Sequence, residues 1–392
     1  MKVLILCCGA WVEVWSSYLK EIASLDEVEV LIATTTPSKL GLKRLNEIKN
    51  RFTNVEIRVY KGDMEKLTGH AATAVFPPEV KELFKKRPDI IHIIGEAGYI
   101  STFQAIRYKK KYCPDAKITI RAAQNVYHKY IFPFSLIEKI SYKNVDYICA
   151  VSSQAVDVLR RKGYTGETKI IPNGFDSELF YRQFDIEFKR RLGLNQIVIG
   201  YVGNFTIQKG VYDLVEAFSR VQEPDVSLLM IGKGEEKEGV IRKIRELGLE
   251  NRVLILDYVE QVKLPQYISC MDILVLPSIK RKYAASKLAK ILPFLQIPWA
   301  EQFGRVLVEA MACKVAVIGS SSGSIPDVVE DVGLIFKEND SADLADKLNY
   351  MIKNKDFRQK CIELGYKKAH EKYTWKKVAL AYKHVWKGLL DA

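Results

Sequence analysis

Two carboxylates, Glu301 and Glu309, bracket a turn at Phe303 and Gly304 that leads into Arg305, Val306, Leu307, Ala310 and Met311. The apolar positions recur with a helical period and mark one buried face of a helix that starts at Gly304. Unpaired backbone N–H groups and the positive end of the helix dipole make that start a place for a diphosphate. Glu309 lies roughly a turn and a half further on, within reach of a ligand held over the helix start. Glu301 precedes the turn and can approach the ligand's other end. Two acids around one phosphate, one of them able to accept from a hydroxyl pair, read as a clamp for a nucleotide sugar. Taken alone, Glu301 also reads as an acid that merely favours the helix dipole. Glu309 sits between Val308 and Ala310 beside the apolar face, and a partly buried carboxylate needs a partner.

A second loop runs from Gly203 and Asn204 to Lys209 and Gly210, after a strand and before the helical stretch Val211 to Ser219. Its glycines allow close approach of backbone to phosphate, and Lys209 supplies a mobile charge. Alone, it is equally an ordinary turn with a solvated lysine. It gains weight by sharing one half of the chain with Glu301 and Glu309. In the first half, Gly95, Glu96, Ala97, Gly98 and Tyr99 follow a strand and read either as a cleft lining or as a plain turn. Gln124, Asn125 and His128 follow the next strand, and His128 reads either as a group acting on an acceptor or as an inert surface histidine. No GxSxG, HExxH, P-loop or Asp-x-Asp pattern occurs, and the five histidines lack metal-ligand spacing, so no metal is expected.

These loops need a scaffold, and the pattern around them supplies one. Short apolar strands (Val3 to Cys8, Val28 to Ala33, Val55 to Val59, Ile90 to Ile94, Lys117 to Ile120, Tyr147 to Val151) alternate with helical stretches such as Ser16 to Ser24 and Pro78 to Lys86. A second series comprises Ile197 to Tyr201, Val226 to Ile231, Val253 to Leu256, Ile273 to Leu276, Val315 to Ile318 and Leu334 to Phe336. Each series predicts a parallel sheet covered on both faces. The 392 residues exceed the size at which a single core stops growing, which agrees with two doubly wound domains. Ligands of such sheets bind at the carboxyl ends of strands, so two facing domains place the site in the cleft between them.

The net charge of +13 implies an anionic partner without choosing among nucleotide, lipid surface and nucleic acid. Seven cysteines without CxxC spacing read as core residues in a reducing cytoplasm. The start of the chain lacks a signal-peptide pattern, and no apolar run approaches the ~20 residues that span a bilayer. A soluble or peripheral cytoplasmic protein, with the inner membrane face as its alternative site, is expected.

The residues resemble the retaining glycosyltransferases of family 4, also called glycosyl transferases group 1. The resemblance rests on Tyr201 to Gly210, Leu229 to Gly234, Asp272 to Ser278 and Glu301 to Phe336, in that order, and covers the second half of the chain. In the first half it is looser, resting on Pro88 to His92, Ala150 to Ser152 and Ile171 to Gly174. It implies a GT-B fold: residues 1–180 as an acceptor-binding Rossmann-like domain, 181–375 as a nucleotide-sugar-binding one, and 376–392 as a helix crossing back to the first. It implies that Lys209 holds the donor diphosphate, Glu301 contacts the transferred sugar and Glu309 accepts from the ribose hydroxyls. Gly203, Asn204, Val259 and the backbone from Phe303 through Gly304 and Arg305 to Val306 complete the donor site. Gly9, Glu96, Gly98, Tyr99, Gln124, Asn125 and His128 line the acceptor side. The expected activity is retaining, metal-independent, hexosyl-type transfer to a lipid-linked or polysaccharide acceptor, with the nucleotide sugar as substrate and no cofactor.

Three departures from the family pattern stand out. Asn204 replaces a common arginine, so one phosphate partner is missing, and Arg305 or the Lys280 to Lys282 run is left to compensate. Gly9-Ala10 stands for Gly-Gly, and the usual histidine is replaced by Gln124 or displaced to His128. The missing arginine favours the competing expectation, an inactive nucleotide-sugar-binding or regulatory module. Nucleic acid is not an expected partner, since no aromatic-basic motif is present. The long basic and apolar segment from Lys280 to Trp299 reads either as a dock for an anionic membrane or as a lid over the donor.

Overall fold

A computed structural model describes residues 1–61, 71–283 and 296–392. The apolar part of the 280–299 segment, including Leu288, Ile291, Leu292, Phe294 and Leu295, lies outside the described residues. The chain forms two compact units. One comprises Met1–Pro172, Lys282–Pro298 and Trp375–Ala392, the other Asn173–Arg281 and Trp299–Thr374.

The first unit carries β1 (Lys2–Cys7), β2 (Glu29–Thr35), β3 (Val55–Tyr60), β4 (Ile90–Ile94), β5 (Lys117–Ala122), β6 (Tyr147–Ala150) and β7 (Glu167–Ile170), in the order β3-β2-β1-β4-β5-β6-β7. All neighbours are parallel, with Ile5 opposite Ile32 on one side and His92 on the other. Val3 to Leu6 are all buried because helices cover both faces of the sheet, which is why the central strands read as unbroken apolar runs. β7 carries no strand signal in the sequence, because it is an edge strand of Glu167, Thr168, Lys169 and Ile170, mostly exposed, with no apolar pattern. The first helix begins at Gly9 and not at Ser16, since Val12, Trp15, Leu19 and Ile22 share one buried face. Pro78 to Lys86 divides into a 3-10 turn, Pro78–Val80, and a helix, Lys81–Lys85.

The helix Trp375–Asp391 belongs to this unit. Trp375 meets Trp15 edge-on at 5.5 Å between ring centres, and Tyr382 meets Tyr18 at the same 5.5 Å. Trp386 Nε1 donates to Thr119 Oγ1 at 3.3 Å. At about 25 cal/mol per Å² and roughly 200 Å² for each buried ring, Trp375, Tyr382 and Trp386 contribute at most on the order of 15 kcal/mol before the entropy of ordering them. That burial explains why the last helix is part of the sheet's cover.

The second unit has β8 (Ile197–Val202), β9 (Val226–Ile231), β10 (Val253–Leu256), β11 (Ile273–Leu276), β14 (Ala316–Ser320) and β15 (Gly333–Phe336), in the order β10-β9-β8-β11-β14-β15. A short ladder of β12 (Arg281–Tyr283) and β13 (Ile297–Trp299) stands apart. Strand order reverses between β1 and β4 in one sheet and between β8 and β11 in the other. At such a reversal the following loops diverge and leave a crevice at the strands' carboxyl ends.

Candidate active site

In the second unit, the loop after β8 is tied down by backbone. Gly203 N–H donates to Ile231 O at 3.0 Å and Phe205 N–H to Lys233 O at 2.9 Å, while the Tyr201 hydroxyl donates to Asn204 O at 2.7 Å. Gly210 then adopts a φ of +62°, and a Cβ there would lie 1.9 Å from Pro277 O. Only glycine permits both, so the residue brings the Lys209 loop against the loop after β11. The reversal thus has a lysine on one lip.

Glu301 stands on the other lip. Its Oε2 accepts from Lys209 Nζ at 2.5 Å and from Ser278 Oγ at 2.8 Å. Ser278 is itself held, since Ser320 Oγ donates to Ser278 O at 2.5 Å. Glu301 O accepts from Ser324 N–H at 2.8 Å, and a Cβ on Gly323 would lie 2.1 Å from that oxygen. Lys209 also lies over the Trp299 ring, 5.0 Å from its centre. Lys209 and Glu301, which lie far apart in sequence, form one charge-paired, partly buried centre. Ser278, Ser320 and Trp299 belong to it; Ser278 and Trp299 end segments that stand out in the sequence, whereas Ser320, a short residue at a strand end, carries no periodicity.

Gly304 caps the helix Arg305–Ala312 with φ +78° and ψ +55° and offers no side chain to its first-turn N–H groups. A Cβ there would lie 2.6 Å from Leu276 Cδ2. The helix start is therefore pressed against the end of β11, and no side chain caps it. Glu309 is buried and its partner is Arg305, whose Nε lies 3.3 Å from Oε1. Burial raises the Glu309 carboxyl above its ordinary range, and Arg305 opposes the rise. Arg305, expected as a substitute for the missing arginine, thus stands against Glu309. Phe303 is a core residue packed on Tyr373 at 5.5 Å, so its side chain is committed to the core. Val259 and Val306 are half-buried against the same core, and Asn204 is exposed.

In the first unit, Glu96 gathers the acceptor-side residues. Its Oε1 accepts from Ala123 N–H at 2.7 Å and Gln124 N–H at 3.0 Å. Burial raises its pKa, and these two N–H groups, Lys162 and Arg121 oppose that rise. Gln124 Oε1 accepts from Lys162 Nζ at 2.9 Å and from the Tyr130 hydroxyl at 3.2 Å. Its Nε2 therefore faces Val126 O at 3.0 Å and His128 Nδ1 at 2.8 Å as a donor. A donor there requires Nδ1 to accept, which leaves the His128 proton on Nε2. Gly98 packs against the Tyr130 ring, where a Cβ would meet carbon at 2.9 Å. Tyr99 caps the helix Ile100–Tyr112, Asn125 is half-buried in the Gln124 turn, and Gly9 opens the helix after β1. Lys162 is the residue that the sequence concealed, a lysine ending a helix that reads as solvated yet has a side chain only 4% exposed.

Among the described residues, no group of three or more His, Cys, Asp or Glu is placed to hold a metal ion, and no helix is long and apolar enough to cross a membrane. All seven cysteines are buried free thiols.

A family model described as Glycosyl transferases group 1 matches residues 183–368, and one described as Glycosyltransferase Family 4 matches residues 18–179. The N-acetyl-alpha-D-glucosaminyl L-malate synthase of Bacillus anthracis is 26% identical over 229 residues, 57% of this chain and 54% of the relative. The match thus spans little more than half of that relative's length. A solved glycosyltransferase from Rickettsia africae superposes with a TM-score of 0.77 at 18% identity, covering 99% of this chain and 98% of the other. Anabaena HepE, solved in complex with UDP and glucose, gives a TM-score of 0.72 at 18% identity over 99% of this chain and 100% of its own. These likenesses establish a two-domain, Rossmann-like GT-B fold.

Proposed function

The chain belongs to the group 1 and family 4 glycosyltransferases, and from that membership we propose that it moves a sugar from a nucleotide-sugar donor to an acceptor hydroxyl, with retention of anomeric configuration and without a metal. The observation that carries this reading is the pairing of Lys209 with Glu301 at the β8 and β11 reversal, beside a helix start free of side-chain caps. The UDP and glucose bound by Anabaena HepE support a nucleotide sugar as the donor.

On this reading the donor diphosphate lies over the Gly304 helix start and draws Lys209 Nζ toward its oxygens. As the sugar–phosphate bond breaks, negative charge grows on the leaving phosphate, where Lys209 and the first-turn N–H groups stabilise it. Glu301, released from Lys209, is left to accept from hydroxyls of the transferred sugar. Glu309 accepts from the ribose. In a same-face displacement the leaving phosphate oxygen takes the acceptor proton, so no protein base on the acceptor is required. His128, carrying its proton on Nε2, serves as a hydrogen-bond donor on the acceptor side.

The test is to incubate the protein with candidate nucleotide sugars and acceptors in excess chelator and to read the product's anomeric configuration by proton NMR. Transfer with retention, undiminished by chelator, is the expected outcome; inversion or a demand for divalent cation would overturn the mechanism. Asn204 supports a second reading, a module that binds nucleotide sugars without transfer, because neutral Asn leaves one phosphate charge unmatched. Tight donor binding with no turnover on any acceptor would favour it.

A further inference from the structure

We propose that residues 127–143 form a docking tip for an anionic lipid bilayer. Phe132 is 77% exposed, Ile131 67% and Leu136 49%, a cluster of large apolar side chains left in water within six residues of chain. The tip is not a loose end. Tyr130 is pinned against Gly98 and donates to Gln124, and Ile137 is buried, so Ile131 and Phe132 protrude between two anchored points.

The helix Phe134–Tyr142 sorts its residues by face. Ile137 and Ser141 are buried, while Leu136, Lys139 and Lys143, spaced by three and four, share the exposed face. Lys129 adds a third exposed cation, and Arg161 sits over the Tyr127 ring at 4.5 Å. Glu138 is the acid of this segment, and it is mostly buried and paired with Lys162 at 2.7 Å. The exposed part of the tip is therefore apolar and basic, with no acid to repel a phosphate surface. Apolar side chains at the headgroup boundary and lysines just outside it are what an anionic bilayer rewards, and a net charge of +13 adds long-range attraction.

The tip contains His128 and begins three residues after Gln124. Docking would hold that cluster at the lipid surface, which selects a lipid-linked acceptor; this last step rests on the proposed transfer function, whereas membrane binding does not.

The experiment is vesicle flotation of the full chain on phosphatidylcholine alone and on phosphatidylcholine with one quarter phosphatidylglycerol. Wild-type protein should float only with the anionic vesicles, and less at high salt. Ile131→Ser with Phe132→Ser should abolish flotation, and replacing Lys139 and Lys143 by Gln should weaken it roughly fivefold for each lysine at low salt. Phe132→Trp provides a second readout, a blue-shifted emission quenched by brominated lipid. Circular dichroism checks that the variants fold, as expected for exposed positions. Wild-type protein that stays unbound, or a serine variant that floats unchanged, would overturn the proposal. Phe132-dependent self-association without lipid, seen by sedimentation, would overturn it in favour of a second copy of the chain. Loss of flotation with intact hydrolysis of the nucleotide sugar separates docking from the transfer site.

Discussion

The ion pair between Lys209 and Glu301 makes replacements of its two members act in opposite directions on nucleotide binding. Before the donor arrives, Glu301 holds Lys209 Nζ at 2.5 Å, and a diphosphate has to win the ammonium from a carboxylate that also repels it. At an effective dielectric of about 20 and a separation of about 6 Å, that repulsion is about 3 kcal/mol for the nearest phosphate charge. The Lys209 and Glu301 side chains are 22% and 11% exposed, and solvent screening halves the figure to about 1.4 kcal/mol. Glu301→Gln keeps the shape and an acceptor for Ser278, removes the charge, and should tighten nucleoside diphosphate about tenfold. Transfer should nevertheless fall by about 10² to 10³, the usual cost of removing one polar group matched to the transition state. Lys209→Met should weaken both. Titration calorimetry with UDP, GDP and ADP, alongside turnover, measures these changes. If Glu301→Gln and Lys209→Met shift binding in the same direction, or if Glu301→Gln turns over like wild type, the reasoning fails.

Three further outcomes follow from the geometry. On the proposed reading Glu309 accepts from the ribose hydroxyls best as a carboxylate with two acceptor oxygens, and burial raises its pKa above the ordinary 4.5, so donor affinity should drop as pH falls through that raised value; Glu309→Gln should bind weakly and without that pH dependence, as read by calorimetry across pH. Gly210→Ala should cost about 1–3 kcal/mol or more from strain and the clash with Pro277 O, whereas Gly388→Ala, at an exposed position of the last helix with nothing within 4 Å, should stabilise by about 0.5–1 kcal/mol; thermal melts compare them. Nitrogen-15 NMR of the histidine ring should find the His128 proton on Nε2 in wild type and on Nδ1 in Gln124→Glu, where an oxygen replaces the amide donor; an unchanged tautomer would refute the Gln124 orientation.

Most strands of both sheets were legible because a strand buried on both faces reads as an apolar run; Ile90 to Ile94 and Val226 to Ile231 end where the sequence places them. β7 was not, because an edge strand of exposed polar residues carries no such run. The helix start at Gly304 was legible because a glycine followed by a helical apolar pattern marks a cap. Its partners were harder to see. Nothing in the spacing of Lys209 and Glu301 announces a bond between them, since it arises when the β8 and β11 loops meet at the reversal. Lys162 illustrates the limit further: its burial comes from Gln124, Tyr130 and Glu138, each from a different turn of the chain.

The central claim is that the second unit clamps a nucleotide sugar between Lys209, Glu301 and the Gly304 helix. Thermal shift of the full chain against a panel of nucleotide sugars tests it most directly. A ligand at 100 times its Kd adds about 2.7 kcal/mol of stability. At least one nucleotide sugar should raise the wild-type melting temperature, and Lys209→Met and Glu309→Gln should sharply reduce the rise. A panel that leaves wild type unmoved, or a rise that survives both substitutions, would contradict it.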